Sequence, residues 1–157
     1  MPVSLENLLK IGQLKEHPPD AAEIQRLLAA ASRNLADARI TSISPETRFD
    51  AAYKAIMQAA LAALMAHGYR PDMKRPGHHV TVVQGLPLTI GVAAARVTVL
   101  DTLRRKRNVS DYTGEDIDDS SAQHCIAEAE RLLKDVVAWA PRKSAETTTV
   151  AVIGRLA

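Results

Sequence analysis

Aromatic side chains are nearly missing from this sequence: one Trp, one Phe and three Tyr among 157 residues. A sheet-rich core draws on aromatic and β-branched residues, so the core falls to Ala, Leu, Ile and Val, a composition that favours packed helices. Cysteine is almost absent too. Cys125 alone excludes an internal disulfide and fits a reducing compartment, and no CxxC or Cys/His spacing suggests zinc. No apolar run approaches the roughly 20 residues that span a bilayer; the longest Ala-rich one is Ala59 to Ala66. No basic segment leading into an apolar stretch follows Met1-Pro2-Val3-Ser4, so no signal peptide is expected. A formal net charge of +2 excludes a wholly basic nucleic-acid binder, and any such role must come from local clustering. The expectation is a single globular domain, cytoplasmic, with no membrane span, no metal and no cofactor.

What is there is helical patterning. Ser4 to His17 carries Leu5, Leu8, Leu9, Ile11 and Leu14 and reads as a short leading helix halted by Pro18-Pro19. Asp20, with Glu23 three residues on, reads as a capping box opening a helix to about Ile40, with Ile24, Leu27, Leu28, Ala31 and Leu35 on one face. Ser44-Pro45-Glu46 starts another, along which Phe49, Tyr53, Ile56, Met57, Ala60, Leu61 and Leu64 recur until Gly68. Gly68 to His78, with two prolines and two glycines, reads as a loop. Val80 to Ile90 reads as a short helix interrupted at Gly85 and Pro87. A strand is the alternative, but no strand partner is evident nearby. Val92 to about Ser110 is the fourth strong element. Asp118 or Asp119 through Trp139 is the fifth, ended by Pro141. Thr147 to Ile153 has strand propensity without a partner in the chain, and is expected either to fray or to pair with another copy.

The stretch "LRRKRNVSDYTG", Leu103 to Gly114, concentrates the chemistry. Leu100, Leu103 and Arg107 follow at spacings of three and four, which sets Arg107 on the continuation of an apolar stripe, where a cation needs an acid, a carbonyl or a phosphate for company. Arg105 and Lys106 are accounted for as cations at the negative end of a helix dipole. Asn108 lies beside Arg107, and Tyr112 lies four residues beyond Asn108. Asp50 is a carboxylate that would orient Arg107; a first-turn acid, or a surface ion pair with Arg48, is the plainer reading. His78-His79 follows the basic loop of Arg70, Lys74 and Arg75, and reads either as a helix start facing solvent or as a histidine folded over a cleft. His67 reads as a helix C-terminal cation. His124, beside Cys125, has no third ligand at suitable spacing and carries no metal site. The acidic run Glu115 to Asp119 reads as helix N-terminal charge.

"RNVSDY" resembles the Arg-polar-x-x-x-His motif of HEPN domains, and the helix order over about residues 20–140, together with "RFDAAYKAIMQAALAAL" and "GYRP" followed by "GHH", is similar to bacterial members of that superfamily. The resemblance implies an all-α, up-and-down bundle of four or five helices with an extra N-terminal helix and a tail over 141–157. It implies a homodimer with two motifs in a cleft, and RNA binding or metal-independent RNA cleavage of the toxin and defence kind. Arg107 would hold the scissile phosphate and Asn108 would be the adjacent polar residue. Tyr112 stands in the histidine slot, and a phenol with a pKa near 10 is a poor base at neutral pH, though it can stack on a nucleobase. Catalytic candidates are therefore Arg107, Asn108 and Tyr112, and candidate RNA contacts are Arg104, Arg105, His79 and Arg75. The competing expectation is a non-catalytic interaction module, partnered by a nucleotidyltransferase or an antitoxin as some family members are.

Overall fold

The computed structural model describes the backbone of residues 4–144 and the side chains of residues 4–139. Its elements are α1 (Leu5–Lys10), β1 (Leu14–Glu16), α2 (Ala21–Ala38), α3 (Pro45–Ala66), β2 (Tyr69–Pro71), α4 (His78–Gln84), α5 (Leu86–Thr89), α6 (Ala94–Thr113) and α7 (Asp119–Ser144). The expected strand over Thr147 to Ile153 lies outside the described residues.

The start signals act as read. Asp20 Oδ1 accepts from the Ala22 amide at 2.8 Å, and Ser44 Oγ accepts from the Thr47 amide at 3.2 Å with Pro45 in the first turn. The reciprocal half of the capping box does not form: Glu23 instead meets the His17 ring at 3.0 Å. Pro141 lies inside α7 rather than ending it. Its fixed φ of about −65° is helical, and the missing amide removes one backbone bond.

Contacts along the chain give the helix directions. Arg48 reaches back to the Ala38 carbonyl and Asn34 bonds Gln58, so α2 and α3 are antiparallel. Glu46 meets Ile117 near one end and His67 stacks on Trp139 near the other, so α3 and α7 are parallel. Arg107 pairs with Asp50 and Arg96 with Asp135, so α6 opposes both. The result is an up-and-down bundle of α2, α3, α6 and α7; packed helices are what the composition predicts, and the up-and-down order is what the resemblance implies. Helix α3 is its axis: Ala52, Ala55, Ala59, Ala62 and Ala63 are sealed, and such small side chains let α2 and α7 approach closely while Phe49, Leu28, Ile56 and Leu132 fill the gaps.

Two expectations change at the N-terminal end. The leading helix stops at Lys10 rather than running to His17, because Gly12 adopts φ +78° and turns the chain into β1. There Leu14 pairs opposite Pro71 and Glu16 opposite Tyr69, in an antiparallel ribbon whose second strand lies within the segment read as a loop. A proline is tolerated because the ribbon is all edge. The ribbon seals a small satellite core of Leu8, Leu14 and Leu64. The segment after it is helical as expected, α4 and α5 meeting at Gly85. A strand did lie nearby, so the decisive fact is burial: Val82, Val83 and Leu86 point into the main core. Helix α4 packs against both α3 and α6, and the cleft described next lies where the three helices meet.

Candidate functional site

Asp50, Tyr53, Lys54, Met57, Gln58 and Leu61 of α3, related by helical spacings of three and four residues, line a cavity of about 380 Å³, with Tyr53 itself buried in the core beneath it. Helix α4 supplies His78, His79 and Val82 to the same cavity, the segment after β2 supplies Met73, and α6 supplies Arg107.

Arg107 follows the buried Leu100 and Leu103 on α6, and its side chain keeps 31% of its exposure. It finds acidic company, as a cation on such a stripe must. Its Nε lies 3.5 Å from Asp50 Oδ1 and 3.9 Å from Asp111 Oδ2, ion-pair distances, and this shielded nitrogen makes no well-aligned hydrogen bond. The guanidinium carbon stands 5.0 Å from the centre of the Tyr53 ring, a cation–π contact worth about 0.5–1 kcal/mol. Arg107 is thus oriented from three sides without being saturated.

On the other side of Tyr53, its hydroxyl lies 3.4 Å from His79 Nδ1. Burial pushes the Tyr53 phenol up to about 12, against the pull of Arg107 and Arg104, so its hydroxyl stays protonated and can either donate to or accept from the His79 ring. His79 is held below the ordinary histidine value, first by burial and then by the positive charge of His78, Arg107 and Arg104. Its imidazole is therefore neutral and able to accept a proton near pH 7. The His78 ring packs edge-on against it with centroids 4.5 Å apart. Burial raises the Asp50 carboxyl above its usual range despite the nearby Arg107.

The residues singled out in the sequence are sorted by this geometry. Arg107 and His79 share the cavity. Arg104 does not line the cavity; it is bonded to Asp101 at 2.8 Å, close enough for its charge to act on Tyr53 and His79. Arg105 pairs with the same Asp101 at 3.0 Å and points to solvent. Asn108 is half-buried on α6 and does not line the cavity. Tyr112 is 90% exposed and also lies outside the lining. Five residues beyond Arg107 on a helix turn it about 140° away, whereas Asp111, four residues on, shares the Arg107 face. Arg75 is anchored elsewhere, donating to the carbonyls of Ile11 and Gly12 at the end of α1.

Arg48 and Asp50 do not pair with each other. Arg48 is buried to 4% exposure, donating from Nε to the Ala38 carbonyl at 2.8 Å and lying 3.4 Å from Asp119, which ties three helix ends together. His67 bonds the Ala63 carbonyl and stacks on Trp139 at 4.9 Å. Burial pushes the Cys125 thiol up to about 12, so it is packed and unreactive. Among the described residues no three His, Cys, Asp or Glu side chains converge as a metal site. Nor is any helix of these residues long and apolar enough to cross a membrane.

Several members of the site, Asp111, Gln58 and Met73 among them, carry no mark in the sequence reading. Tyr53 was read only as one position of the apolar stripe, and Lys54 was not considered. The signal is the set Asp50, Tyr53, Lys54 and Gln58, polar side chains at helical spacing on α3.

Compared with known proteins, the sequence matches no family model and no curated protein.

Proposed function

We propose that this protein is an RNA-binding protein of HEPN type that cleaves single-stranded RNA at the Arg107 cleft by metal-independent transesterification. The observation that carries this reading is that Arg107 and a neutral histidine, His79, line one open cavity on either side of Tyr53. This supplies, from α4, the acid–base group that the motif position on α6 lacks.

The chemistry needs little more. The Arg107 guanidinium holds the non-bridging oxygens of the scissile phosphate, displacing its loose contact with Asp50. The neutral His79 takes the proton of the 2′-hydroxyl as that oxygen attacks phosphorus. The bond from phosphorus to the 5′-oxygen breaks, leaving a 2′,3′-cyclic phosphate, and the departing oxygen takes a proton from water. Tyr53 keeps both groups in place. Tyr112 and Val109, exposed three residues apart on α6, offer an apolar strip for the second copy that a HEPN dimer requires. The cytoplasm is the compartment in which such an activity meets RNA.

A second reading has its own support. The cavity floor of Met57, Leu61, Pro71 and Val82 is apolar, which suits a protein segment in a non-catalytic interaction module. Incubating wild type, Arg107→Ala and His79→Gln with mixed RNA in EDTA separates the two. Cyclic-phosphate ends from wild type, lost in both variants, are the expected result. RNA retention by wild type without cleavage confines the function to binding. Absence of both at low salt overturns the RNA reading in favour of the interaction module.

A further inference from the structure

The Arg107 cleft does not end at Leu61. That residue, Pro71 and Met73 form a shared wall with a second cavity of about 520 Å³, bounded by α2 and the β-ribbon. Three arginines border it, Arg26 and Arg33 from α2 and Arg70 from β2. Arg26 and Arg33 are seven residues apart with the small Ala30 between them, so they stand on one face with an axial separation of about 10 Å. None of the three forms an ion pair among the described residues, whereas Arg39, Arg48, Arg96, Arg104, Arg105 and Arg107 all do. The acid among the residues lining the cavity, Glu23, meets the His17 ring at 3.0 Å. Between the cations the surface is apolar, with Leu27 and Met65 below and Met73 standing 66% exposed on the ridge.

We infer that this second cavity continues the RNA path, and that Arg26, Arg33 and Arg70 hold the phosphates of nucleotides flanking the one at Arg107. The inference rests on the RNA reading of the cleft. Cations spaced along a groove with an apolar floor match the two demands of a single strand: neutralised phosphates, and flat surfaces against which unstacked bases lie. An acidic peptide shares the charge requirement but has no bases to cover Leu27, Met65 and Met73. The three arginines are exposed, so replacing them leaves the core intact.

The test measures affinity against salt for an uncleavable 2′-O-methyl RNA of about 12 nucleotides, within the range that single-strand sites cover. Wild type is compared with Arg107→Ala and with the combined Arg26→Ala, Arg33→Ala, Arg70→Ala variant. Each lost phosphate contact on a single strand lowers the slope of log affinity against log salt by about 0.7, so the triple variant should lose about 2 and Arg107→Ala about 0.7. An unchanged slope in the triple variant, with binding still weakened by Arg107→Ala, overturns the extended path and leaves the cleft reading standing. Loss in the triple variant alone shows RNA in the groove but not in the cleft, and overturns the continuous path. No binding by wild type at any salt removes both. A polyglutamate peptide of equal charge that binds more tightly than the RNA reassigns the groove to acidic protein segments and also overturns the inference.

Discussion

Helix α3 has two faces that solve different problems with neighbouring residues. Its inner face carries Phe49, Ala52, Ile56, Ala59 and Ala63, all buried, and meets α2 and α7 with no room left over. Its outer face carries Asp50, Lys54 and Met57 and lines an open cavity. The start of the helix shows the contrast most sharply. Arg48 turns inward to stitch three helix ends, and Asp50, two residues and about 200° further round, turns outward to Arg107. Stability is concentrated on one side and unfinished chemistry on the other, so substitutions on the two faces should separate folding from binding.

The largest expected effect is Phe49→Ala. This ring is wholly buried, and its loss should lower unfolding free energy by about 3–5 kcal/mol in a denaturant titration. A loss below about 1 kcal/mol would mean that the inner face is not the tight one. Next comes Arg48→Met, which keeps the volume but strands the buried Ala38 carbonyl. It should cost about 1–3 kcal/mol by the same measurement while leaving RNA affinity unchanged.

Arg107→Ala should show the reverse pattern. Half-exposed ion pairs and one cation–π contact are worth about 1 kcal/mol or less in folding, whereas RNA affinity should fall about tenfold or more, read by filter binding. Equal damage to both quantities would erase the distinction between the faces.

A pH comparison sharpens it further. Because His79 binds a proton less readily in the fold than in the unfolded chain, its contribution to stability is complete above about pH 6.5 and is lost as pH falls from there through its lower folded value. The drop in Tm between pH 7 and pH 5 should therefore be smaller in His79→Gln than in wild type. A steeper drop in the variant would show that the cleft does not disfavour the charged ring. The smallest effect is expected from Tyr112→Ala. This exposed side chain, outside the cavity, should change the unfolding free energy by less than about 0.5 kcal/mol in a denaturant titration, although it is the residue marked out by the motif.

Much of the bundle was legible because its cause is local. Asp20, Ser44 and Gly68 mark helix ends by chemistry acting within a few residues, and apolar spacing names the buried face of α2, α3 and α7. The ribbon was not legible. Leu14–Glu16 and Tyr69–Pro71 are three residues each, too short for a periodic signal, and each becomes a strand only when the other is beside it. The site was half legible for the same kind of reason. Arg107 stood out as a cation on an apolar stripe, and Asp50 as its natural partner. The motif then directed attention to Tyr112, which helical geometry turns away, while the histidine that reaches the cavity lies 28 residues before Arg107 in the sequence.

The sequence by itself determined that this chain is helical, where most helices begin, and that Arg107 needs company, because capping, periodicity and the cost of a cation on an apolar stripe all act over one or two turns. Only the tertiary structure decided which company it keeps. Helix α4 packs against both α3 and α6, so Asp50, Tyr53 and His79 meet Arg107 around one cavity, and Leu61, Pro71 and Met73 join that cavity to three arginines on α2 and β2. Such meetings depend on the packing of surfaces distant in the chain, which local residue chemistry does not specify.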